Sequence, residues 1–393
     1  MCFSASFWQH WAQTCWVGGF GAETWIDDAM FDEGIGVDTT QHEVMVLTRD
    51  LGPQASRGTA NYDLNLEKLP RKFIVFNLKL YCLQYTHPTT SRLYVWSGSA
   101  WTLVKTFGRR VDDFEVFAGY LFFATSGADY KIERMDSGEA FSTIDNPAGV
   151  TFNCYVCRAY RGKLYFGFGR EIWRLKSDFT WDGLTVFYTA EDADFLTLAE
   201  IHLGFLYFAS GNAHVLRTDA NNTFDIWQFD SGPEIRAMRS FDGRLFVSVN
   251  EGLAGTTAQQ AVLYQFTGAA ITELKRWGKV GQDISTGFMR VFGRRLFFGG
   301  GGLLGMGNGF GVAAYDPIED AYHLWATCVD TATFPGGTEG IDWTVDDVVY
   351  FGGYVWCSVR GFGIFRTLWS FKDVTRFQAT YDVSGAGTPG APL

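Results

Sequence analysis

The chain has 393 residues, of which 17% are aromatic and 46 are glycine, while charged residues make up only 19%. An apolar fraction of 47% excludes a disordered chain, and nine prolines without a Gly-x-y period exclude a collagen-like one. The net charge of −11, without clusters of Lys and Arg, argues against a protein that grips nucleic acid through its phosphates.

Residues 1–70 precede any repeated pattern and are interpreted as an N-terminal extension without a signal peptide. Four tryptophans lie close together there: Trp8, Trp11, Trp16 and Trp25. Ser6 is suited to cap a short helix over Phe7–Trp16, which Gly18 would end. Because aromatic residues are enriched in interface cores, these tryptophans are predicted to contact a neighbouring subunit. Packing of the segment on a blade edge of the same chain is the alternative.

From residue 71 onward a four-residue phrase recurs, in which Leu is followed by Tyr or Phe, an apolar residue and a small residue. The residues that lead its copies are Leu80, Leu121, Leu164, Leu206, Leu245, Leu296 and Val349. A glycine turn and an apolar run precede most copies, and two apolar runs follow, so each unit contains four short strands.

Four antiparallel strands at a period near 40 residues are typical of a β-propeller blade. The fold predicted is therefore all-β, a seven-bladed β-propeller over residues 71–383, with an irregular N-terminal extension and a flexible tail over residues 384–393. Six blades are the alternative, because the first copy of the phrase is weak.

Two further signals recur between or within the later strands. The turns Asp136–Phe141 and Asp219–Phe224, and more weakly Ser97–Trp101 and Thr267–Ile271, begin with a side chain that can bond its own turn backbone. These turns resemble the Asp-box turn of sialidase-like propellers, and the resemblance implies a structural role alone. Arginine recurs at equivalent positions of four third strands: Arg134, Arg174, Arg217 and Arg366. This repetition predicts a structural role for the four side chains, such as pairing with acids of neighbouring blades.

Three insertions depart from the repeat, Asn250–Ala261, Gly299–Gly311 and Thr327–Asp342. Propeller topology places all three on one face of blades five to seven, and loops that grow on one face of a repeat scaffold often mark its binding face. The residues predicted for this interface are Gly301, Leu303, Leu304, Met306 and Phe310. Neutral drift in tolerated surface loops is the alternative.

The sequence carries no catalytic signature, and no catalytic, cofactor-binding or metal-ligating residue is predicted. The seven cysteines are scattered, and Cys154 and Cys157 would point to opposite faces of a strand, which favours structural thiols. Carboxylates near the first strands are predicted to form an acidic mouth of the central channel: Asp112, Asp113, Asp346 and Asp347.

The repeated Gly-x-Leu-[Tyr/Phe]-Phe-[Gly/Ala/Ser] strand, with the Asp136 and Asp219 turns, resembles the virion propellers of tailed bacteriophages, of the tail nozzle and tail-closing type. That resemblance implies a non-enzymatic structural protein of the virion, assembled in the host cytoplasm. Its partners would be other copies of itself and other virion proteins, with DNA passing without specific binding and with no membrane span. An extracellular carbohydrate-binding propeller is the alternative, and a glycoside hydrolase comes third.

Overall fold

The fold is seen in a computed structural model that describes most of the chain from residue 70 to residue 367 and five short strands before it. The residues described are 19–20, 30–31, 37–38, 46–47, 49–53, 70–87, 90–126, 131–183, 186–190, 195–210, 214–221, 224–228, 234–252, 259–267, 270–277, 287–292, 295–299, 310–317, 321–328, 345–352, 354–359 and 363–367.

All elements of the described residues are β-strands. The N-terminal ones are β1 (Gly19–Phe20), β2 (Met30–Phe31), β3 (Val37–Asp38), β4 (Val46–Leu47) and β5 (Arg49–Pro53). Blade 1 consists of β6 (Pro70–Phe76), β7 (Lys79–His87), β8 (Thr90–Trp96) and β9 (Trp101–Phe107). Blade 2 consists of β10 (Arg110–Phe117), β11 (Tyr120–Ser126), β12 (Lys131–Met135) and β13 (Phe141–Asp145). Blade 3 consists of β14 (Cys154–Tyr160), β15 (Lys163–Phe168), β16 (Glu171–Leu175) and β17 (Tyr188–Thr189).

The later blades continue the same pattern. Blade 4 consists of β18 (Leu196–His202), β19 (Phe205–Ser210), β20 (His214–Thr218) and β21 (Phe224–Gln228). Blade 5 consists of β22 (Glu234–Phe241), β23 (Arg244–Gly252), β24 (Gln259–Phe266) and β25 (Ile271–Trp277). Blade 6 consists of β26 (Phe288–Phe292), β27 (Arg295–Gly299), β28 (Phe310–Asp316) and β29 (Ala321–Cys328). The last strands are β30 (Val345–Phe351), β31 (Tyr354–Val359) and β32 (Gly363–Thr367).

The six blades are antiparallel sheets of four consecutive strands arranged in a ring. The first strand of each blade is innermost, because the first strands of successive blades from β10 to β26 contact one another. The all-β propeller predicted from the repeat is confirmed, and the six complete four-stranded blades match the alternative blade count.

The seventh repeat contributes three strands instead of four. Strands β30, β31 and β32 form an antiparallel sheet, and β30 contacts both β26 and β6, so this seventh sheet stands between blades 6 and 1. Its outer strand β32 pairs antiparallel with β5, which also pairs in parallel with β29 of blade 6. A strand from the predicted N-terminal extension therefore joins the sheet that closes the ring.

The structure corrects the position of the phrase in the last repeat. The segment from Val349 to Gly352 belongs to β30 and its turn, and Gly352 has a φ of 61° there. The second strand is β31, in which Val355 pairs with Tyr350 as the leading leucines pair in the blades. The seventh copy is therefore Val355–Ser358, and the tyrosine and phenylalanine before Gly352 misled the assignment.

The phrase recurs because its strand packs in the seams between blades. Its leading leucine and the aromatic that follows are buried, as Leu164 and Tyr165 are in blade 3. The small last residue lets the next blade approach: a Cβ on Gly167 would lie 2.7 Å from Val156 Cγ1 and 3.1 Å from Leu196 Cβ of blade 4. Clusters of buried apolar side chains span these seams, so the core is distributed around the ring.

The turns between third and fourth strands use their first side chain as expected. Asp136 Oδ1 accepts hydrogen bonds from Gly138 N at 2.8 Å and from Ala140 N at 2.9 Å. The weaker copies do the same with a hydroxyl, since Ser97 Oγ accepts from Ala100 N at 3.1 Å. The side chain thus satisfies backbone donors that the tight turn leaves unpaired.

Two of the recurrent arginines, Arg134 and Arg174, stack on aromatic rings, and for these two the expected pairing with acids of neighbouring blades is not found within the described part of the structure. The side chain of Arg366 lies outside the described residues. The Arg134 guanidinium lies 3.9 Å from the ring centroid of Phe179 in the next blade, and that of Arg174 lies 3.9 Å from Phe187. The ion pair of Arg174 is with Asp182 of its own blade, at 3.0 Å. Cation–π contact holds these side chains at partly buried sites.

The hairpin turns between first and second strands require two residues with positive φ. In blades 2 to 5 the second of these is a glycine, such as Gly119 with a φ of 82° after Ala118 with a φ of 47°. Blade 1 has Leu78 at that place, with a φ of 61° and 91% of its surface exposed. A left-handed conformation costs a residue with a Cβ about 1 kcal/mol, and no packing of Leu78 offsets it.

Replacing Leu78 with glycine should therefore raise the free energy of unfolding by about 1 kcal/mol, because the strain exceeds the entropy that glycine adds to the unfolded chain. Urea unfolding followed by circular dichroism measures the change. Leu78→Ala is the matched control, since it keeps the Cβ and the strain. Equal stabilisation by both substitutions would attribute the effect to the exposed leucine side chain instead.

Candidate functional site

The first strands of all six blades and of the seventh sheet surround a central cavity of about 390 Å³. Its charged lining is balanced between five cations and five carboxylates: Lys72, Arg158, Arg236, Arg239, Arg290, Asp113, Glu115, Glu200, Asp346 and Asp347. Concave sites lined by converging polar groups are where proteins usually bind ligands or carry out catalysis, so the axial cavity is the candidate functional site.

Seven lining residues occupy one level of the cavity, because each pairs with the aromatic residue of the phrase on the neighbouring strand. They are Ile74, Glu115, Arg158, Glu200, Arg239, Arg290 and Val349. We name this set the axial ring. Its order around the propeller is apolar, acid, Arg, acid, Arg, Arg, apolar.

A β-bulge recurs at one place on most first strands, and it shapes the acidic part of the cavity. The pairing register shifts between Val111 and Asp113 in blade 2 and between Val345 and Asp347 in the seventh sheet, with equivalent shifts in blades 1, 3, 4 and 5. A bulge re-aims the side chains beside it. Asp113 and Asp347 directly follow the bulged residue and enter the cavity.

Ion pairs run continuously across blades 2 to 5 at the axial ring. Arg158 Nη1 lies 3.1 Å from Glu115 Oε2, and its Nη2 lies 3.2 Å from Glu200 Oε2. Arg239 Nη1 lies 3.2 Å from the same Glu200 oxygen. Each of these blades therefore donates to or accepts from its neighbour through a charged side chain.

The ring is closed by a second network around Asp347. Arg290 of blade 6 binds this carboxylate in a fork, with Nε to Oδ1 at 2.8 Å and Nη2 to Oδ2 at 2.7 Å. Phe73 of blade 1 donates its backbone N–H to Asp347 Oδ2 at 2.8 Å, and its carbonyl accepts from Arg290 Nη2 at 3.2 Å. Three sheets thus meet at one buried carboxylate.

Two other carboxylates repeat this tie to a neighbouring backbone. Asp113 accepts from Lys72 Nζ of blade 1 at 3.1 Å and from Cys157 N of blade 3 at 3.2 Å. Glu200 accepts from Ser240 N of blade 5 at 3.4 Å. Charge-assisted bonds of this kind satisfy backbone donors that face the next blade.

Glu115 is an acid of the axial ring whose protonation differs from that of an exposed glutamate. Burial raises its pKa to about 7, the nearby carboxylates of Asp113 and Glu200 add to the shift, and Arg158 opposes it. A carboxyl group that titrates near neutrality can exchange a proton at physiological pH, which is the property required of a general acid or base. Its carboxyl group accepts a hydrogen bond from Arg158 Nη1 at 3.1 Å.

Three of the four acids predicted for the channel mouth line the cavity: Asp113, Asp346 and Asp347. Asp112 instead accepts from Ser126 Oγ at 2.7 Å and pairs with Arg110, and burial raises its pKa. The cations that neutralise the mouth, Lys72 and Arg290, were missed because nothing local to them in the sequence marks their partners.

Most of the predicted interface lies outside the described residues: Trp8, Trp11, Trp16, Trp25, Gly301, Leu303, Leu304 and Met306. Phe310 begins β28, where its backbone pairs with Cys328. That set remains a prediction.

The buried thiols Cys154 and Cys157 are free and lie on the same face of β14, not on opposite faces as predicted, because the β-bulge between Cys154 and Val156 shifts the alternation of side chains. Burial raises the pKa of both well above the ordinary value. Their neutral form is therefore the one present near neutral pH.

Among the residues described, no three His, Cys, Asp or Glu side chains are grouped to hold a metal ion. The same residues include no helix long and apolar enough to cross a membrane.

Comparison with known proteins is informative at the level of the fold. No protein-family model matches the chain, and no curated protein is similar to it in sequence. Among solved structures, virginiamycin B lyase from Staphylococcus aureus matches with a TM-score of 0.55 and 14% identity, over 79% of this chain and 98% of that one.

Two other propellers match to a similar degree. The extracellular domain of a one-component system from B. thetaiotaomicron has a TM-score of 0.56 and 12% identity, over 82% of this chain and 40% of that one. The WD40 β-propeller domain of Doa1 has a TM-score of 0.52 and 14% identity, over 81% and 96%. Because one neighbour is a lyase and another a WD40 domain, these likenesses establish the propeller fold alone.

Removing the carboxylate at the closure should destabilise the ring. Asp347→Ala leaves Arg290 without its buried counter-ion and Phe73 N–H without an acceptor, so we expect a loss of about 3 kcal/mol in the free energy of unfolding. Asp113→Ala is the matched control at the equivalent place in blade 2. The Asp113 side chain is 21% exposed, against 3% for Asp347, so about 1 kcal/mol is expected. Equal losses by urea unfolding would contradict a special role of Asp347.

Glu115 should make stability depend on pH. Folded Glu115 keeps its proton up to about pH 7, whereas an unfolded glutamate loses it near its ordinary pKa of 4.5. The folded state therefore loses stability as the pH rises through this window. Relative to Glu115→Gln, the wild type should become less stable between about pH 4.5 and pH 7, measured by urea unfolding at each pH.

Glu273→Gln is the control of opposite sign. A hydrogen bond from Arg276 holds the pKa of Glu273 below its ordinary value, so the wild type should gain stability relative to this variant as the pH rises from acid. Parallel curves for the wild type and Glu115→Gln would show that Glu115 titrates like an exposed glutamate.

Proposed function

We propose that the protein is a non-enzymatic assembly protein that acts through protein–protein contacts, as a component of a virion such as a phage tail or nozzle assembled in the host cytoplasm. The observation that supports this proposal most is that three carboxylates lining the central cavity are already bound to groups of other sheets. Asp113, Glu200 and Asp347 each bind a cation and a backbone N–H of another sheet. Acids occupied in this way hold blades together and are poor general bases.

In this proposal the propeller is a rigid platform and its added segments make the contacts. Aromatic packing in the seams supports rigidity, for example between Trp96, Trp101 and Trp356, whose ring centroids are 4.9 to 5.9 Å apart. The Trp-rich extension and the glycine-rich insertion after β27 then supply contacts to other copies and other virion proteins.

A passage for DNA, if the assembly is a ring of subunits, lies between the subunits and not along the propeller axis. The axial cavity measures about 390 Å³ and is lined by ion pairs between neighbouring blades, so it has no room for a duplex. The net charge of −11 suits a wall that repels phosphates and does not bind DNA specifically.

Carbohydrate binding is the second candidate, and a small aromatic cluster favours it. Phe152 and Phe195 are 43% and 52% exposed, and they precede the first strands of blades 3 and 4 on the face that carries the blade links. The rings of Tyr155 and Phe195 are 5.1 Å apart. Exposed aromatic faces of this kind are suited to stack on sugar rings.

The oligomeric state of the full chain separates the two candidates. The assembly proposal expects a homo-oligomer by light scattering and negative-stain microscopy. Alanine at Trp8, Trp11, Trp16 and Trp25 together should convert it to monomers without changing the circular dichroism spectrum. Phe152→Ala with Phe195→Ala is the control, since it should leave the oligomer intact. A wild-type monomer that binds a glycan array, and loses that binding in the control variant, would replace assembly with sugar recognition.

A further inference from the structure

The alternation of charge around the axial ring breaks between blades 5 and 6. Across blades 2 to 5 each arginine lies beside an acid, but Arg239 and Arg290 are neighbours in the ring. Both line the cavity, with 27% and 32% of their side-chain surface accessible. Neither donates a hydrogen bond across this seam within the part of the chain that is described.

Several guanidinium donors at this place have no acceptor among the described residues. Arg239 uses Nη1 alone, toward Glu200, which leaves Nε and Nη2. Arg290 uses Nε and Nη2 toward Asp347 and the Phe73 carbonyl, which leaves Nη1. Arginine donors that line a cavity are suited to bind an anionic acceptor through charge-assisted hydrogen bonds.

Neighbouring charges of both signs act on Arg239. Burial lowers its pKa, the carboxylates of Glu200 and Asp347 oppose that shift, and the charges of Arg290 and Arg158 add to it. The two neighbouring arginines therefore act unfavourably on the charge of Arg239, and a bound anion would offset them. Protonation of Glu115 near neutral pH removes one negative charge from the cavity lining.

The ring also offers an apolar wall directly beside the two arginines. Val349 of the seventh sheet and Ile74 of blade 1 follow Arg290 in ring order, and Val75 also lines the cavity. A volume of about 390 Å³ lies at the lower end of the range of small-molecule pockets. The site therefore has a cationic end and an apolar flank, at the size of a small organic acid.

We propose that the axial cavity binds a small organic carboxylate, with its carboxylate between Arg239 and Arg290 and its apolar body against Ile74 and Val349. Nε and Nη2 of Arg239 form a planar fork that matches a carboxylate in geometry as well as charge, and Arg290 adds Nη1. The site does not depend on the assembly role, since it lies within one propeller.

Hexanoate is the probe, with hexanamide and hexylamine as controls of the same length. Calorimetric titration and thermal shift of the full chain should show saturable binding of hexanoate below about 10 mM, and no binding of the uncharged or cationic analogues. Binding of hexanamide with equal affinity, or no binding of hexanoate at that concentration, would overturn the proposal.

Variants locate the site within the cavity. Arg239→Lys keeps a charge beside Glu200 but loses the fork, and it should weaken hexanoate binding about thirtyfold while the unfolding curve stays close to that of the wild type. Arg239→Gln should weaken it further. Arg236→Gln is the matched control, because Arg236 lines the same cavity outside the axial ring and its loss should change the affinity less than threefold. Equal weakening by Arg236→Gln and Arg239→Lys would mean attraction by the general potential alone and would overturn the assigned position.

Discussion

The hydrogen bond from a backbone N–H of one sheet to a buried carboxylate of the sheet before it is the interaction on which the axis of this protein depends. A first strand pairs with its second strand along one edge, and its other edge faces the next blade with backbone groups that need partners. Asp347, Asp113 and Glu200 supply acceptors to Phe73, Cys157 and Ser240 respectively. A buried carboxylate in turn requires a cation, so the arginines and the lysine of the ring follow from the same constraint.

The ring closes at the seam between the seventh sheet and blade 1, where a buried carboxylate binds both a backbone N–H and an arginine. Residues more than 270 positions apart in the chain meet there, as Phe73 and Asp347 do. The tryptophans Trp96, Trp101 and Trp356 pack edge to face behind that bond, and β5 continues the sheet on its outer side. Polar and apolar contacts therefore oppose the same entropic cost of bringing the ends of the ring together.

The sequence predicts what is local and misses what depends on distant contacts. The period, the four-strand unit and the glycine turns were foreseen, because type I′ turns and alternating strands leave their signature within a few residues. The position of Val355 was missed, because Val349 to Gly352 imitates the phrase letter by letter. The bulges before Asp113 and Asp347, the pairing of β5 and the partners of Arg158 and Arg290 were not foreseen, since each is fixed by a strand or a blade that sequence spacing does not identify.

The charges of the axial ring have two explanations, and they apply to different seams. Between blades 2 and 5, and around Asp347, each charge has a partner in another sheet, so stability accounts for it. Arg239 and Arg290 also have such partners, Glu200 and Asp347. They nevertheless stand side by side as like charges, and some of their donors have no acceptor among the described residues, so the blade contacts account for only part of this arrangement. Places where a fold departs from its own pattern at a cost in stability are often functional. Each arginine is explained by its own acid, whereas the placement of the two arginines side by side is not, and the donors that remain therefore point to a ligand in addition to the blade contacts.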